Sequence, residues 1–377
     1  MNTKLKKGIN KISEKTISIR QAGIMLFFLS FSNKILLLPS MLYNYAKTDS
    51  FFIYLILFML DIFLLFIFVF LKKRYINKSF FDIFSKKFGV FIAKIVYFLF
   101  LIYFLTKIVL LFNVSFFYFR DQIYKSISPY IYLICIIPVL NHAMLIGLRP
   151  VGRSMEFFYN IILFAVVLCV GISFVNLNNF EGFFITKLSD FSIGIFKHLF
   201  CFGDYVCMFF VMDKIQFKKN KEKIYFIYSS IGILSVLAIA LMFYLIYGST
   251  AFLHVNAISD IINFSNNYGE IGRLDIISML LVMFLTYFQL NIYGNCFSEC
   301  FSKVFNKLST VYSVISLDIA FLICVIFIFN SLQTISFSLR NVFPYLTILS
   351  FVCVPIISFV CLLSDKKGEQ NRYEKNF

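Results

Sequence analysis

IRQAGIMLFFLSFSNKILLLPSMLYNY, residues 19–45, has the apolar character and length of a membrane-spanning helix, but Ser30, Ser32, Asn33 and Lys34 interrupt it at its middle. About 20 apolar residues suffice to cross a bilayer as a helix. A polar break at mid-depth is tolerated only where the freed backbone groups meet protein, water or a ligand. The stretch therefore reads as half of a solute site.

The rest of the chain has the same character. Of its 377 residues 60% are hydrophobic and only 14% charged, with a mean hydropathy of +0.86, whereas soluble domains carry about 25% charged residues. This is the composition of a polytopic membrane protein. The formal charge of +16 does not point to nucleic acid, because a nucleic-acid binder gathers its basic residues on one exposed face. Here they sit in the short segments between apolar runs.

Ten such runs follow one another, at 19–45, 50–71, 90–119, 130–148, 157–175, 191–212, 224–248, 273–301, 309–330 and 343–363. Alternate connections, counted from the N-terminus, hold about 25 Lys and Arg against about 6 in the other set. Both termini are therefore expected in the cytoplasm. The expected layout is a cytoplasmic tail over 1–18, a ten-helix domain over 19–363 and a polar tail over 364–377. The connection Ser249–Gly272 reads either as a short amphipathic lid or as an ordinary surface loop.

Enzyme chemistry finds no support. Seven of the nine Cys lie inside apolar spans, where the thiol behaves as a small hydrophobe. Cys296 and Cys300 share a helical face, with no His or second Cys pair at zinc-like spacing. The three His are scattered, and no nucleophile with its base, phosphate loop or pair of catalytic acids is present. Neither a metal nor a cofactor is expected.

Ionisable residues inside a membrane are costly and mark function by default. Lys34, Asp61, Lys107, Asp204 and Asp318 all fall near mid-depth of their runs. They read either as ion pairs that hold a bundle together or as parts of a site. The second reading is stronger where a charge coincides with a helix break, as at Lys34 and at Asp204, which follows Gly203 in KHLFCFGDYVCMFF. Breaks in runs 1 and 6 of ten occupy corresponding positions in two five-span halves, 19–175 and 191–363. An odd number of spans per half inverts one half relative to the other. Corresponding interrupted spans in inverted repeats point to a midplane binding site, and the polarity of such breaks suits an amino-acid zwitterion.

The opening ISIRQ, the LLLPSML that ends the first break, AKTDSFF before run 2, GLRPVGRSMEFF between runs 4 and 5, FCFGDY in run 6 and GRLD before run 8 together resemble the B subunits of bacterial spore germinant receptors, GerAB-like endospore germination permeases. That family is similar to the amino acid/polyamine/organocation transporters. The resemblance implies a LeuT-like all-α fold of ten transmembrane helices, a 5+5 inverted repeat with helices 1 and 6 broken. It also implies residence in the spore inner membrane, an A subunit and a lipoprotein C subunit as partners, and a small nutrient, an amino acid, as ligand.

Carried over by position, the ligand site comprises Ser32 and Asn33 in the first break and Phe202, Gly203 and Asp204 in the second. Tyr103 with Lys107 on run 3, and Gln289 with Tyr293 on run 8, complete it, each pair one turn apart. Freed amides of run 1 and Lys107 would hold a carboxylate, and Asp204 with freed carbonyls of run 6 an ammonium. Lys34, Asp61 and Asp318 are grouped as an intramembrane charge network. Two functions stay open: a receptor subunit whose bundle shifts on binding, and a permease that alternates access to the same site.

Overall fold

The computed structural model describes residues 16–76, 78–122, 128–174, 182–183, 186–216, 221–266, 275–305, 309–328 and 343–362. Among them every regular element is helical, apart from one parallel bridge between Ile17 and Ile215. Lipid offers no hydrogen bonds, so an apolar chain must satisfy its backbone internally, and the helix does so within one segment. Eight described stretches are long and apolar enough to cross a membrane, and this is an integral membrane protein. The first and ninth expected runs contain shorter apolar helices, Ile19–Phe31 and Thr310–Cys324. The two tails fall almost wholly outside the described residues.

The first run divides where its sequence demands it. Helix α1, Ile19–Phe31, opens on a reciprocal cap: Ser18 N donates to Gln21 Oε1 at 3.0 Å and Gln21 N donates to Ser18 Oγ at 3.2 Å. This Ser-x-x-Gln capping box satisfies two donors that a helix start leaves free, and it gives ISIRQ a physical meaning. After Phe31 the chain tightens into a 3-10 turn, Ser32–Ile35, before α2, Leu38–Ala46. An unbroken helix would need Pro39 to donate to Ile35, and it has no N–H to give. In the first turn of α2 the missing donor costs nothing.

The chain continues through α3 (Ser50–Arg74), α4 (Phe80–Phe88), α5 (Val90–Gln122), α6 (Pro129–Ile146) and α7 (Leu148–Ser173). The sixth run is again divided. Helix α8, Leu188–His198, passes through a 3-10 turn at Leu199–Cys201, an extended Phe202 and a left-handed Gly203 before a second 3-10 turn at Asp204–Val206 and the single turn α9, Cys207–Phe210. Then come α10 (Lys223–Tyr247), α11 (Ala257–Asn266), α12 (Asp275–Val304), α13 (Thr310–Ile328) and α14 (Phe343–Leu362).

Packing is reciprocal between the halves. Helix α1 lies along α10, the divided sixth run lies against α3, and α5 lies along α12. Each interrupted run thus meets the second span of the other half, and the two third spans meet each other. The α1–α10 approach is close enough that a Cβ on Gly232 would stand 2.7 Å from Ser30 Oγ and 3.0 Å from Phe27 O.

Both ends of the first run are tied down. At its start, Ile17 N donates to Lys214 O at 2.8 Å and Gln216 N donates to Ile17 O at 2.9 Å, joining the entry of run 1 to the exit of run 6. Glu156 of α7 receives Arg20 Nε at 3.1 Å and Gln21 Nε2 at 3.2 Å, so GLRPVGRSMEFF supplies a latch for ISIRQ. Past the break, Leu36 O accepts from Ala257 N at 3.3 Å, Tyr247 OH donates to Asp260 O at 2.5 Å and Gln122 Nε2 donates to Ser259 Oγ at 3.0 Å. The connection read as lid or loop therefore contains a helix, α11, docked over the far end of the first run.

That dock depends on pH. Burial raises the Asp260 carboxyl to about 6, against a bond from Asn256 N that lowers it, and Asp121 adds to the rise. His254 Nδ1 lies 3.7 Å away, but burial pulls that imidazole below its ordinary value and keeps it neutral near pH 7. A carboxyl that binds its proton more tightly when docked than when free, where it titrates near 4, favours docking as pH falls through 6 toward 4. The effect is on the order of 2 kcal/mol. Amide exchange over 257–263 is expected to slow between pH 7 and pH 5 once corrected for intrinsic rates, and Asp260→Asn to abolish that change. Equal protection at both pH values in the unaltered protein would refute the assignment.

Candidate functional site

The two breaks converge on Asp204. The carboxylate is fully buried and saturated with donors: Lys34 Nζ reaches Oδ2 at 2.9 Å, and Lys107 Nζ and Tyr293 OH each reach Oδ1 at 2.8 Å. It stands where it does because Gly203, at φ +82°, turns the chain between the two halves of run 6. A Cβ there would lie 2.8 Å from Ser350 Oγ and 3.1 Å from Tyr103 OH, so the position needs glycine for both conformation and space.

Each lysine also closes a helix end. Lys107 Nζ donates to Phe200 O at 2.6 Å and to Phe202 O at 2.9 Å, carbonyls that the break in run 6 leaves without helical partners. Lys34 Nζ donates to Leu29 O at 3.2 Å and lies 3.7 Å from Asp61 Oδ2. Aromatic faces complete both surroundings: Phe202 and Phe58 lie 4.8 and 5.3 Å from Lys34 Nζ, and Phe200 and Tyr103 lie 4.7 and 5.6 Å from Lys107 Nζ. Such contacts favour a cation most where water is excluded.

Asp61 fixes the second break from α3. Its Oδ1 accepts from Gly203 N at 2.8 Å, while its Oδ2 has no hydrogen-bond partner among the described residues. Two ammonium groups and two carboxylates thus form a neutral quartet, exposed by 2% at Lys107 and 0% at the other three. Neutrality matters here, since an unpaired charge at this depth costs several kcal/mol.

The remaining expected residues lie around this quartet with one exception. Tyr103 OH donates to Gly203 O at 3.3 Å, and Gln289 Nε2 donates to Phe28 O at 2.5 Å, leaving its buried Oε1 without a partner among the described residues. Ser32 and Asn33 lie on the 3-10 turn of the first break; their side chains fall outside the described residues. Asp318 does not join the grouping made for it with Lys34 and Asp61. It lies on α13, where Asn141 Nδ2 of α6 donates to its Oδ2 at 2.8 Å. Nor do Lys107 and Asp204 stand apart as separate holds for a ligand's two ends: they bind each other.

Sequence reasoning missed Tyr54, whose OH donates to Lys34 O at 2.6 Å and so pins the first break. The signal was present. Tyr54, Phe58 and Asp61 are spaced i, i+4, i+7 and share one face of α3. The contribution of the Leu29, Phe200 and Phe202 carbonyls had no comparable signal, because side-chain identity does not mark which backbone groups a break leaves free.

A family model described as a spore germination protein matches residues 16–334. No curated protein sequence matches the chain. A solved structure titled as the substrate-bound outward-open state of a Na+-coupled sialic acid symporter is similar, with a TM-score of 0.61 at 13% identity over 88% of this chain and 77% of that one. At that identity the likeness shows the fold, the LeuT-like transporter fold.

Proposed function

Because this chain belongs to the spore germination protein family, whose model spans residues 16–334, we propose that it is the nutrient-sensing subunit of a spore germinant receptor. Family and fold make it a germination-related, permease-type membrane protein. The reading adds a complete 5+5 inverted repeat of ten spans, which the reciprocal packing of the halves supports. It also adds residence in the spore inner membrane with both termini in the cytoplasm, which the uneven distribution of Lys and Arg supports, and assembly with an A subunit and a lipoprotein C subunit.

One observation carries the reading: both interrupted runs meet at a buried, internally neutralised quartet. An amino acid is itself an ammonium and a carboxylate, and it can replace one internal pair without leaving a bare charge. Its ammonium takes the place of Lys107 at Asp204 and the Phe200 and Phe202 carbonyls, and its carboxylate takes Lys107 together with amides of Ser32 and Asn33. Phe202, Gly203, Tyr103, Gln289 and Tyr293 would bound the space that opens as this pair separates. Binding then separates groups that hold α5 to the sixth run, so the ligand favours a different packing of the bundle, and that difference is the signal.

Gln289 provides the test. Its buried Oε1, without a partner among the described residues, is an acceptor that a ligand donor can satisfy, and a lost hydrogen bond to a charged donor is worth roughly 1.5–3 kcal/mol. Spores carrying Gln289→Ala are expected to need at least tenfold more amino acid for half-maximal dipicolinic acid release, with the receptor present at its usual level. An unchanged dose response across a nutrient panel would end the proposed pocket. The second reading, a permease, is favoured by the likeness to a symporter structure; uptake of labelled amino acid by vesicles containing this chain alone would establish it.

A further inference from the structure

Helix α12 has a second working face. Gln289 and Tyr293 share the face turned to the quartet, and Asn291, two residues from each, falls on the opposite one. There α5, α6 and α12 enclose a cavity of about 500 Å³ that has no residue of the quartet in its lining. Phe119, Tyr132 and Phe284, one from each helix, wall it, and Asn291 lies among them. Pockets for small molecules have this size and this make-up, apolar walls with a few placed polar groups.

Asn291 is the informative residue. Its side chain is fully buried, and neither Nδ2 nor Oδ1 has a hydrogen-bond partner among the described residues. Inside a membrane bundle an Asn usually bonds across to a neighbouring helix. Asn295, one turn on, finds a partner closer by, donating from Nδ2 to Asn291 O at 2.8 Å. Asn291 does neither, and a carboxamide left bare in an apolar interior is costly.

The missing partner can be described from the two atoms and their surroundings. Nδ2 needs an acceptor and Oδ1 a donor, side by side on one head group. No Lys, Arg, His, Asp or Glu lines the cavity, so the head carries no charge. Val139 and Met283, 44% and 55% exposed on two spanning helices, form the rim. The entrance therefore opens to hydrocarbon, where an alkyl chain can trail.

We infer that this cavity binds a membrane-dissolved amphiphile whose uncharged carboxyl or carboxamide head pairs with Asn291 through two hydrogen bonds. A protonated fatty acid and a fatty amide present the same edge, a carbonyl oxygen beside an O–H or N–H. An ionised carboxylate does not, because it offers acceptors only. The inference is independent of the nutrient site, whose residues the cavity does not use.

The test uses the full chain in lipid nanodiscs and hexadecanamide carrying a diazirine on its chain. Saturable photolabelling around the cavity is expected, displaced by unlabelled hexadecanamide at pH 5 and pH 9 alike and by hexadecane at neither. Displacement by hexadecanoic acid at pH 5 that is lost at pH 9 would add the fatty acid as an occupant; displacement by the amide alone would confine the site to carboxamides. Asn291→Leu is expected to weaken labelling about tenfold while unfolding no earlier than the unaltered protein, since an apolar group of like size replaces an unpaired polar one. Val139→Trp, which narrows the rim and keeps Asn291, is expected to weaken labelling as well, and it serves if Asn291→Leu does not accumulate. Labelling at full strength in either variant, or hexadecane competing as well as the amide, would overturn the inference.

Discussion

Asp204→Leu is expected to remove most of the folded protein from the membrane. Three buried donors, from Lys34, Lys107 and Tyr293, converge on this one carboxylate at 2.8–2.9 Å. Without it, two ammonium groups share Asp61, and a positive charge is left at mid-depth with no route to water. Breaking a buried pair from one side costs about 3–5 kcal/mol, a large part of the roughly 5–15 kcal/mol that separates folded from unfolded states. Membrane abundance and the unfolding midpoint should both fall steeply. The companion measurement separates charge from shape: Asp204→Leu combined with Lys107→Met restores neutrality, and isosteric apolar replacement of a whole buried pair is often neutral or better. The double variant is therefore expected to accumulate well above the single one while still failing to respond to nutrient. Equal loss in both variants would mean that shape, not charge, is what Asp204 contributes.

Gly203→Ala is the second large effect, and it needs no charge. At φ +82° an L-residue meets a penalty of about 1–2 kcal/mol, and the new methyl would stand 2.8 Å from Ser350 Oγ and 3.1 Å from Tyr103 OH. Tyr103 must then give up Gly203 O, and the Gly203 N–H shifts against Asp61 Oδ1, which it holds at 2.8 Å. The sum is expected near 3 kcal/mol. The check is the unfolding midpoint of Gly203→Ala against that of the unaltered protein, and a midpoint that does not move would show that the backbone and the crowding at Gly203 relax freely.

These expectations depend on facts that sequence discloses unevenly. Depth along a span can be counted, so Lys34, Asp61, Lys107, Asp204 and Asp318 were all legible as mid-depth charges. The breaks were legible too, one from a polar run followed by Pro39 and the other from Gly203. Rotation about the helix axis was not. Membrane helices are apolar nearly all round, so the amphipathic stripe that reveals the inward face of a soluble helix is faint. That is why Asp61 and Asp318, alike in sequence context, have different surroundings, one at the quartet and the other against Asn141. It is also why the direct contact between Lys107 and Asp204, which a ligand would have to separate, was not legible.

The pairing of Lys107 with Asp204 also sets an order of events during synthesis. The two residues are 97 positions apart, and chains grow at roughly 5–20 residues per second. Lys34 is followed by Asp61 in the very next span, so its charge is matched within seconds. Lys107 enters the bilayer on α5 with no carboxylate of its own, and for roughly 5–20 s waits for the sixth run to arrive. Over that interval the nascent bundle holds a surplus positive charge at its centre, and the insertion machinery or bound lipid phosphate has to shelter it until Asp204 emerges.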